Sequence, residues 1–143
     1  MDEKRDVIKS SVIVIDRQLM ESIAYLKLTG NSKDVLIRFL GKRQICKIKS
    51  GKRSITAILN NGKIVFTYRE AKEKYGISEK TFSRALDQLI KFGFIDIARP
   101  GIGYAKIETL YSISERWKDF GTDKFIEKKR TPRVNHKFPG NSK

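Results

Sequence analysis

The apolar positions of residues 67–94, TYREAKEKYGISEKTFSRALDQLIKFGF, recur with helical spacing and set the frame for the chain. Over residues 79–92, Phe82, Ala85, Leu86, Leu89 and Ile90 share one face, with Lys80, Arg84, Asp87, Gln88 and Lys91 opposite. A shorter helix is predicted over residues 68–75. Gly76, Ile77 and Ser78 form the turn between them, Ser78 being a good N-cap and Gly76 a permissive corner. Gly93 falls where the second helix should stop. Residues 94–99 (FIDIAR) then alternate apolar and polar, as a half-buried strand does. Pro100, Gly101 and Gly103 break the chain before a second extended run at residues 110–113 (LYSI).

Upstream, the pattern is less regular. Residues 1–6 are charged and expected to fray. Residues 7–16 are β-branched and read as an edge strand or the arm of a dimer contact. Part of residues 18–28 reads as a short helix. Ser32 is expected to cap a further helix over residues 33–40, with Val35, Leu36, Phe39 and Leu40 inward and Gly41 at its end. Residues 42–54 read as a basic loop, with some strand character at Ile45, Cys46 and Ile48. Residues 55–59 and 64–66 are expected to pair as a hairpin across Asn60, Asn61 and Gly62, a sequence suited to positive φ. Downstream, Ser114 can cap a short helix over residues 115–119, anchored by Trp117 and Phe120. No internal repeat of 20–50 residues is visible.

Helix, turn, helix, strand, glycine-rich loop and strand is the order of a winged helix. The phrase YREAKEKYGISEKTFSRALDQLIKFGFIDIARPG resembles the winged helix-turn-helix domains of bacterial, plasmid and phage replication-initiator-like and regulator proteins. The resemblance covers residues 32–120 and is strongest over 68–101. Ala71, Tyr75, Gly76, Ile77, Phe82 and Ala85 fall where such sequences pack their two helices together. Lys72 departs from the pattern, standing at a position often small in that motif. Periodicity alone favours an αα-hairpin that only builds a core. The resemblance implies an α+β fold: a three-helix core with a small antiparallel sheet and a wing. Three regions are expected: an N-terminal strand and helix extension (1–30), the winged domain (31–125) and a disordered basic tail (126–143).

Charge sharpens the functional expectation. The formal net charge is +15 over 143 residues. Residues 31–63 carry net +8 and residues 115–143 net +5, whereas residues 64–99 carry only +2. Cations thus flank the paired helices, as in a module that grips phosphates around a groove read by a less charged helix. Basic loops also keep proteins soluble or touch anionic membranes. No apolar run approaches the ~20 residues of a bilayer span, so no membrane partner is expected. The N-terminus lacks the pattern of a secretory signal, and Cys46, the one cysteine, suits a reducing compartment. The expected location is the cytoplasm, in association with the nucleoid.

Catalytic chemistry is not expected. His136 is the one histidine and lies in the basic tail, and Cys46 has no partner at metal or redox spacing. Gly51-Lys52 fails as a phosphate-binding loop, because Arg53 stands where Ser or Thr should hold the metal and Cys46 where the earlier glycine belongs. Glu70, Glu73 and Lys74 read as solvated charges. No enzyme activity, cofactor or metal is therefore expected.

The leading expectation is a sequence-specific binder of double-stranded DNA, a transcriptional regulator or replication-associated factor. Lys80, Thr81, Ser83, Arg84 and Asp87 would read bases, Arg84 being best suited to a two-pronged bond to guanine. Arg99 to Lys106 would form the wing, lying along the backbone or minor groove. Lys42, Arg43, Lys47, Lys49, Lys52 and Arg53 would add phosphate contacts. The alternative is a winged-helix protein-interaction or non-specific nucleic-acid-binding module of a larger assembly, which Asp87 and Glu79 near the helix start keep open. A homodimer through residues 12–15 and burial of that run within one chain both fit the pattern.

Overall fold

The computed structural model of the chain describes residues 5–7 and 11–130. Among them lie five α-helices and two small antiparallel sheets, an α+β arrangement. The helices are α1 (Arg17–Glu21), α2 (Ile23–Leu26), α3 (Gly30–Gly41), α4 (Tyr68–Tyr75) and α5 (Glu79–Lys91). One sheet runs in the order β1 (Arg5–Val7), β2 (Ile45–Ser50), β3 (Arg53–Ile58); the other pairs β4 (Ile95–Arg99) with β5 (Leu110–Ile113).

The core is where periodicity placed it. Phe82, Ala85, Leu86, Leu89 and Ile90 of α5 are all buried, against Val35, Leu36, Phe39 and Leu40 of α3 and Ala71 of α4. Phe66, just before α4, joins the helices: its ring lies 5.0 Å from Phe39, 4.8 Å from Phe82 and 6.0 Å from Tyr75. Ala71 takes the buried position of α4, while Lys72 faces solvent. The departure at Lys72 therefore disturbs no packing.

Local chemistry fixes the helix ends. Thr67 caps α4 by accepting from the Glu70 N–H at 3.0 Å, and Ser78 caps α5 by accepting from the Thr81 N–H at 3.2 Å. Between them Gly76 is left-handed; its N–H donates to the Lys72 carbonyl at 3.0 Å and that of Ile77 to the Ala71 carbonyl at 2.9 Å. Further upstream the cap moved. Thr29, not Ser32, caps α3, which begins at Gly30. Ser32 is buried and shares a 3.0 Å hydrogen bond with the Thr29 hydroxyl. The helix expected within residues 18–28 is two. Ser22 splits it, closing α1 by donating to the Leu19 carbonyl at 2.7 Å and capping α2 by accepting from the Tyr25 N–H at 3.1 Å.

The hairpin also differs from expectation. Residues 55–58 pair backward with β2, Ile45 opposite Ile58 and Lys49 opposite Ser54. The turn is Gly51-Lys52, with Gly51 at φ +64°, which suits glycine at the first central position of a two-residue hairpin. The basic stretch expected as a loop is thus a strand pair. Asn60 and Asn61 serve as side-chain braces instead of a hairpin turn. Asn60 accepts from the Gln44 N–H at 2.8 Å and donates to the Lys42 carbonyl at 2.9 Å, closing the root of the hairpin. Asn61 bonds both backbone groups of Ile113 at 2.6 and 3.3 Å. Only Ile64 pairs like a strand, in a single bridge to Tyr111 of β5.

At the N-terminus the paired strand is Arg5–Val7, antiparallel to β2. Residues 12–15 form no ladder; Ile15 is half-buried, and Val12, Ile13 and Val14 are exposed. Positions 8–10 of that expected strand lie outside the described residues, as does the tail beyond 130.

After α5 the chain makes a close approach. Gly93 has φ +88°, and a Cβ there would lie 2.6 Å from the Trp117 nitrogen and 2.8 Å from the Arg116 carbonyl carbon. The short helix after β5 is 3₁₀, Arg116–Asp119, and its anchors are as expected: Trp117 is buried and stacks on Phe94 at 6.0 Å, and Phe120 meets Phe92 edge-on at 5.3 Å. Gly93→Ala should cost about 2–4 kcal/mol, from left-handed strain plus overpacking. Urea denaturation checks this; an unchanged midpoint would show that the approach is not tight.

Candidate nucleic-acid interface

α5 presents two unlike faces. With Phe82, Leu86 and Leu89 turned into the core, Lys80, Arg84 and Asp87 emerge on the solvent side. Glu79, Lys80, Ser83 and Arg84 line a shallow, open depression. Lys80 and Arg84 are exposed, and no ion pair to either is formed among the described residues. Thr81 has a local role, its hydroxyl lying 2.9 Å from that of the Ser78 cap.

Ser83 and Asp87 are occupied by a residue the sequence did not single out. Arg130 donates from Nη1 to the Tyr68 hydroxyl at 2.7 Å and from Nη2 to Ser83 Oγ at 2.5 Å, and its Nε lies 2.9 Å from Asp87 Oδ1 as an ion pair. Burial pulls the Arg130 pKa down, but the hydrogen bonds and charges of Tyr68 and Asp87 outweigh it and leave the pKa raised. The guanidinium is firmly cationic. Residues 126–130, expected to begin a disordered tail, are held at several points. Arg116 donates to the Ile126 carbonyl at 2.7 Å, and Lys128 lies 3.7 Å from Asp96.

The six cations expected to grip phosphate divide into two groups. Lys42 and Arg43 are half-buried and engaged. Lys42 Nζ sits 2.5 Å from Glu70 Oε2 and 4.6 Å above the Phe66 ring, so Glu70 is a partner rather than a solvated charge. Arg43 donates to the Leu40 carbonyl at 2.8 Å and to the Val14 carbonyl, and burial lowers its pKa. These two secure the root of the β2–β3 hairpin beside α4 and the segment before α1. Lys47, Lys49, Lys52 and Arg53 are exposed. Lys47 and Lys49 share one face of β2, opposite the face that buries Cys46, while Lys52 and Arg53 stand at the turn.

The loop after β4 is ordered by its own backbone. Ile102 and Ile107 pair across a 3₁₀ turn, Gly103–Ala105, and Lys106 is left-handed at φ 53°. Arg99 and Lys106 are exposed, with Arg99 also donating to the Glu108 carbonyl at 2.8 Å. Tyr104 at the tip is 78% exposed, the largest exposure of an aromatic side chain among the described residues.

Among the described residues, no three of His, Cys, Asp and Glu gather as metal ligands, and no helix is long and apolar enough to cross a membrane. The candidate histidine, His136, lies outside the described residues. Compared with protein families, curated proteins and solved structures, the chain has no significant match.

The two groups of cations should separate in stability measurements. Lys42→Ala should lose about 1–2 kcal/mol, through a half-buried charged hydrogen bond and a cation–π contact. Lys49→Ala or Lys52→Ala should stay within about 0.5 kcal/mol of the parent. Equal losses in chemical denaturation would erase the distinction.

Proposed function

We propose that the chain is a winged helix-turn-helix protein that binds double-stranded DNA, with α5 as the helix that enters the major groove. The observation that supports this most directly is the division of α5. Its apolar face is fully buried, and the opposite face offers Lys80 and Arg84 to solvent beside a depression that also takes in Ser83. Burial of that apolar face sets which way the helix is turned, and so which residues could meet base edges. Arg84 is suited to bidentate contact with guanine, and Lys80 to guanine or phosphate.

The order of elements supports the same reading. α3, α4 and α5 correspond to the three helices of such a domain, Ile64 to the strand residue that pairs with the wing, and β4, the 100–109 loop and β5 to the wing itself. In this reading, the β2–β3 hairpin between the first two of these helices is an added element. It carries Lys47, Lys49, Lys52 and Arg53 to phosphates outside the groove that α5 reads. Arg99 and Lys106 contact the backbone from the wing. The biological role in this reading is a sequence-specific regulator of transcription or a replication-associated factor.

Fluorescence anisotropy against a salt series tests this. If about 6–10 phosphates are contacted, affinity should fall by roughly 10³–10⁵ between 50 and 200 mM salt. Absence of binding at low salt rejects the proposal. Replacing Lys47, Lys49, Lys52 and Arg53 together by alanine should lower the slope of log affinity against log salt by about 3–4. Arg84→Ala should cost about 1–3 kcal/mol and relax specificity at one base pair, read by selection from a random DNA pool. Uniform weakening across all sequences would assign Arg84 to phosphate. Affinity indifferent to sequence, with a stable protein partner in a pull-down, would favour an interaction module.

A further inference from the structure

The α5 face proposed to meet DNA contains an anomaly: Asp87, one turn beyond Arg84, is a carboxylate where phosphates would gather. We propose that Arg130 is a counterion built into this face, cancelling Asp87 so that a polyanion can approach α5. The inference rests on the DNA-binding reading above.

Three observations carry it. First, the contact joins residues far apart in the chain: Arg130 reaches the first turn of α4 at Tyr68 and the middle of α5 at Ser83 and Asp87. Second, the guanidinium has neutral partners of its own. Tyr68 and Ser83 accept two of its donors at 2.7 and 2.5 Å, and the Ser83 carbonyl lies 3.4 Å away. Tyr68 and Ser83 therefore anchor the guanidinium at two points besides the Nε that faces Asp87. With its side chain 57% exposed, Asp87 adds little stability through the pair. What the pair changes is the sign of the surface. Third, Arg130 leaves the neighbouring cations uncovered. Lys80 and Arg84 remain exposed, so residues 126–130 border the face without closing it. That geometry favours a charge-balancing role over an occluding strap.

The staples upstream give the device its precision. Arg116 grips the Ile126 carbonyl, and Lys128 stands near Asp96, so the backbone leading to Arg130 is guided from β4 toward α5. Arg130 thus arrives at Asp87 by a defined path, which a solvated basic tail could not ensure.

The test compares four proteins on one short mixed-sequence duplex at fixed salt near 0.1 M: the parent, Arg130→Gln, Asp87→Asn and the double variant. If affinity follows the net charge of the pair, Arg130→Gln should bind about five- to tenfold more weakly and Asp87→Asn tighter by a similar factor. The double variant should return to the parent value. Arg130→Lys, which keeps the charge, should also bind close to the parent. A double variant as weak as Arg130→Gln would overturn the proposal, because Arg130 would then touch DNA itself or serve only the fold. Tighter binding by Arg130→Gln would make the segment an occluding strap and equally overturn it. If the parent binds no DNA, the DNA reading fails by itself. The salt needed to elute the same proteins from heparin then decides the electrostatic claim: the predicted order sustains it, and a flat order rejects it.

Discussion

The Phe39–Phe66–Phe82 cluster is the constraint on which the rest of the arrangement depends. Phe66 belongs to no helix, yet its ring meets α3, α4 and α5, within 6.0 Å of Phe39, Tyr75 and Phe82. Phe82 is also met edge-on by Tyr68 at 5.1 Å. Burying an aromatic ring of this kind contributes several kcal/mol, on the order of 3–5 for a Phe-to-Ala truncation. The energetic consequence is rotational. Once Phe82 is inside, the helical repeat leaves Lys80, Arg84 and Asp87 no direction but outward. The presentation of cations by α5 follows from packing on its other side.

The same logic extends to the end of α5. Its last turn exposes carbonyls that need partners. Arg116 supplies one, donating to the Ile90 carbonyl at 2.8 Å while pairing with Asp96 at 2.6 Å. A cation at a helix C-terminus is also favoured by the helix dipole. Because Gly93 lets the 3₁₀ turn come within contact of the backbone, Arg116 reaches three destinations at once: α5, β4 and the departing segment at Ile126. Arg116 thus couples the stability of α5 to the route of residues 126–130. Arg130 in turn closes that route onto the face that Phe82 oriented.

The paired helices were legible because their information is local. Hydrophobic spacing, a serine cap and a glycine corner all lie within a few residues of the structure they specify, and α4, α5, β4 and β5 fall within a residue or two of expectation. The hairpin is not legible in the sequence because two glycine-containing turns compete in one stretch. Asn61-Gly62 has the stronger turn chemistry. Yet residues 55–58 gain more from a full ladder with β2 than from residues 64–66, where only Ile64 pairs. Register is a property of two strands together, and no single strand reveals it. The site was half legible for a similar reason. The outward positions of Lys80 and Arg84 follow from periodicity, whereas Lys42 meets Glu70 across 28 positions and Arg130 meets Ser83 across 47. Nothing in a run of lysines and arginines marks which one will be captured.

That distinction bears on how a net charge of +15 should be understood. Formal charge counts every cation alike, but the fold does not. Lys42 is neutralised by Glu70, Arg116 by Asp96 and Arg130 by Asp87, and Arg43 is tied to two carbonyls. Each is at least half withdrawn from solvent and cannot respond freely to a phosphate. Lys47, Lys49, Lys52, Arg53, Lys80 and Arg84 remain exposed, on a hairpin with a two-residue turn and on one face of a helix. Their backbones belong to paired strands and a helix, so less backbone conformational entropy is lost on binding than an unstructured basic chain would lose. The structural cations hold those elements in place, and the exposed ones supply the field.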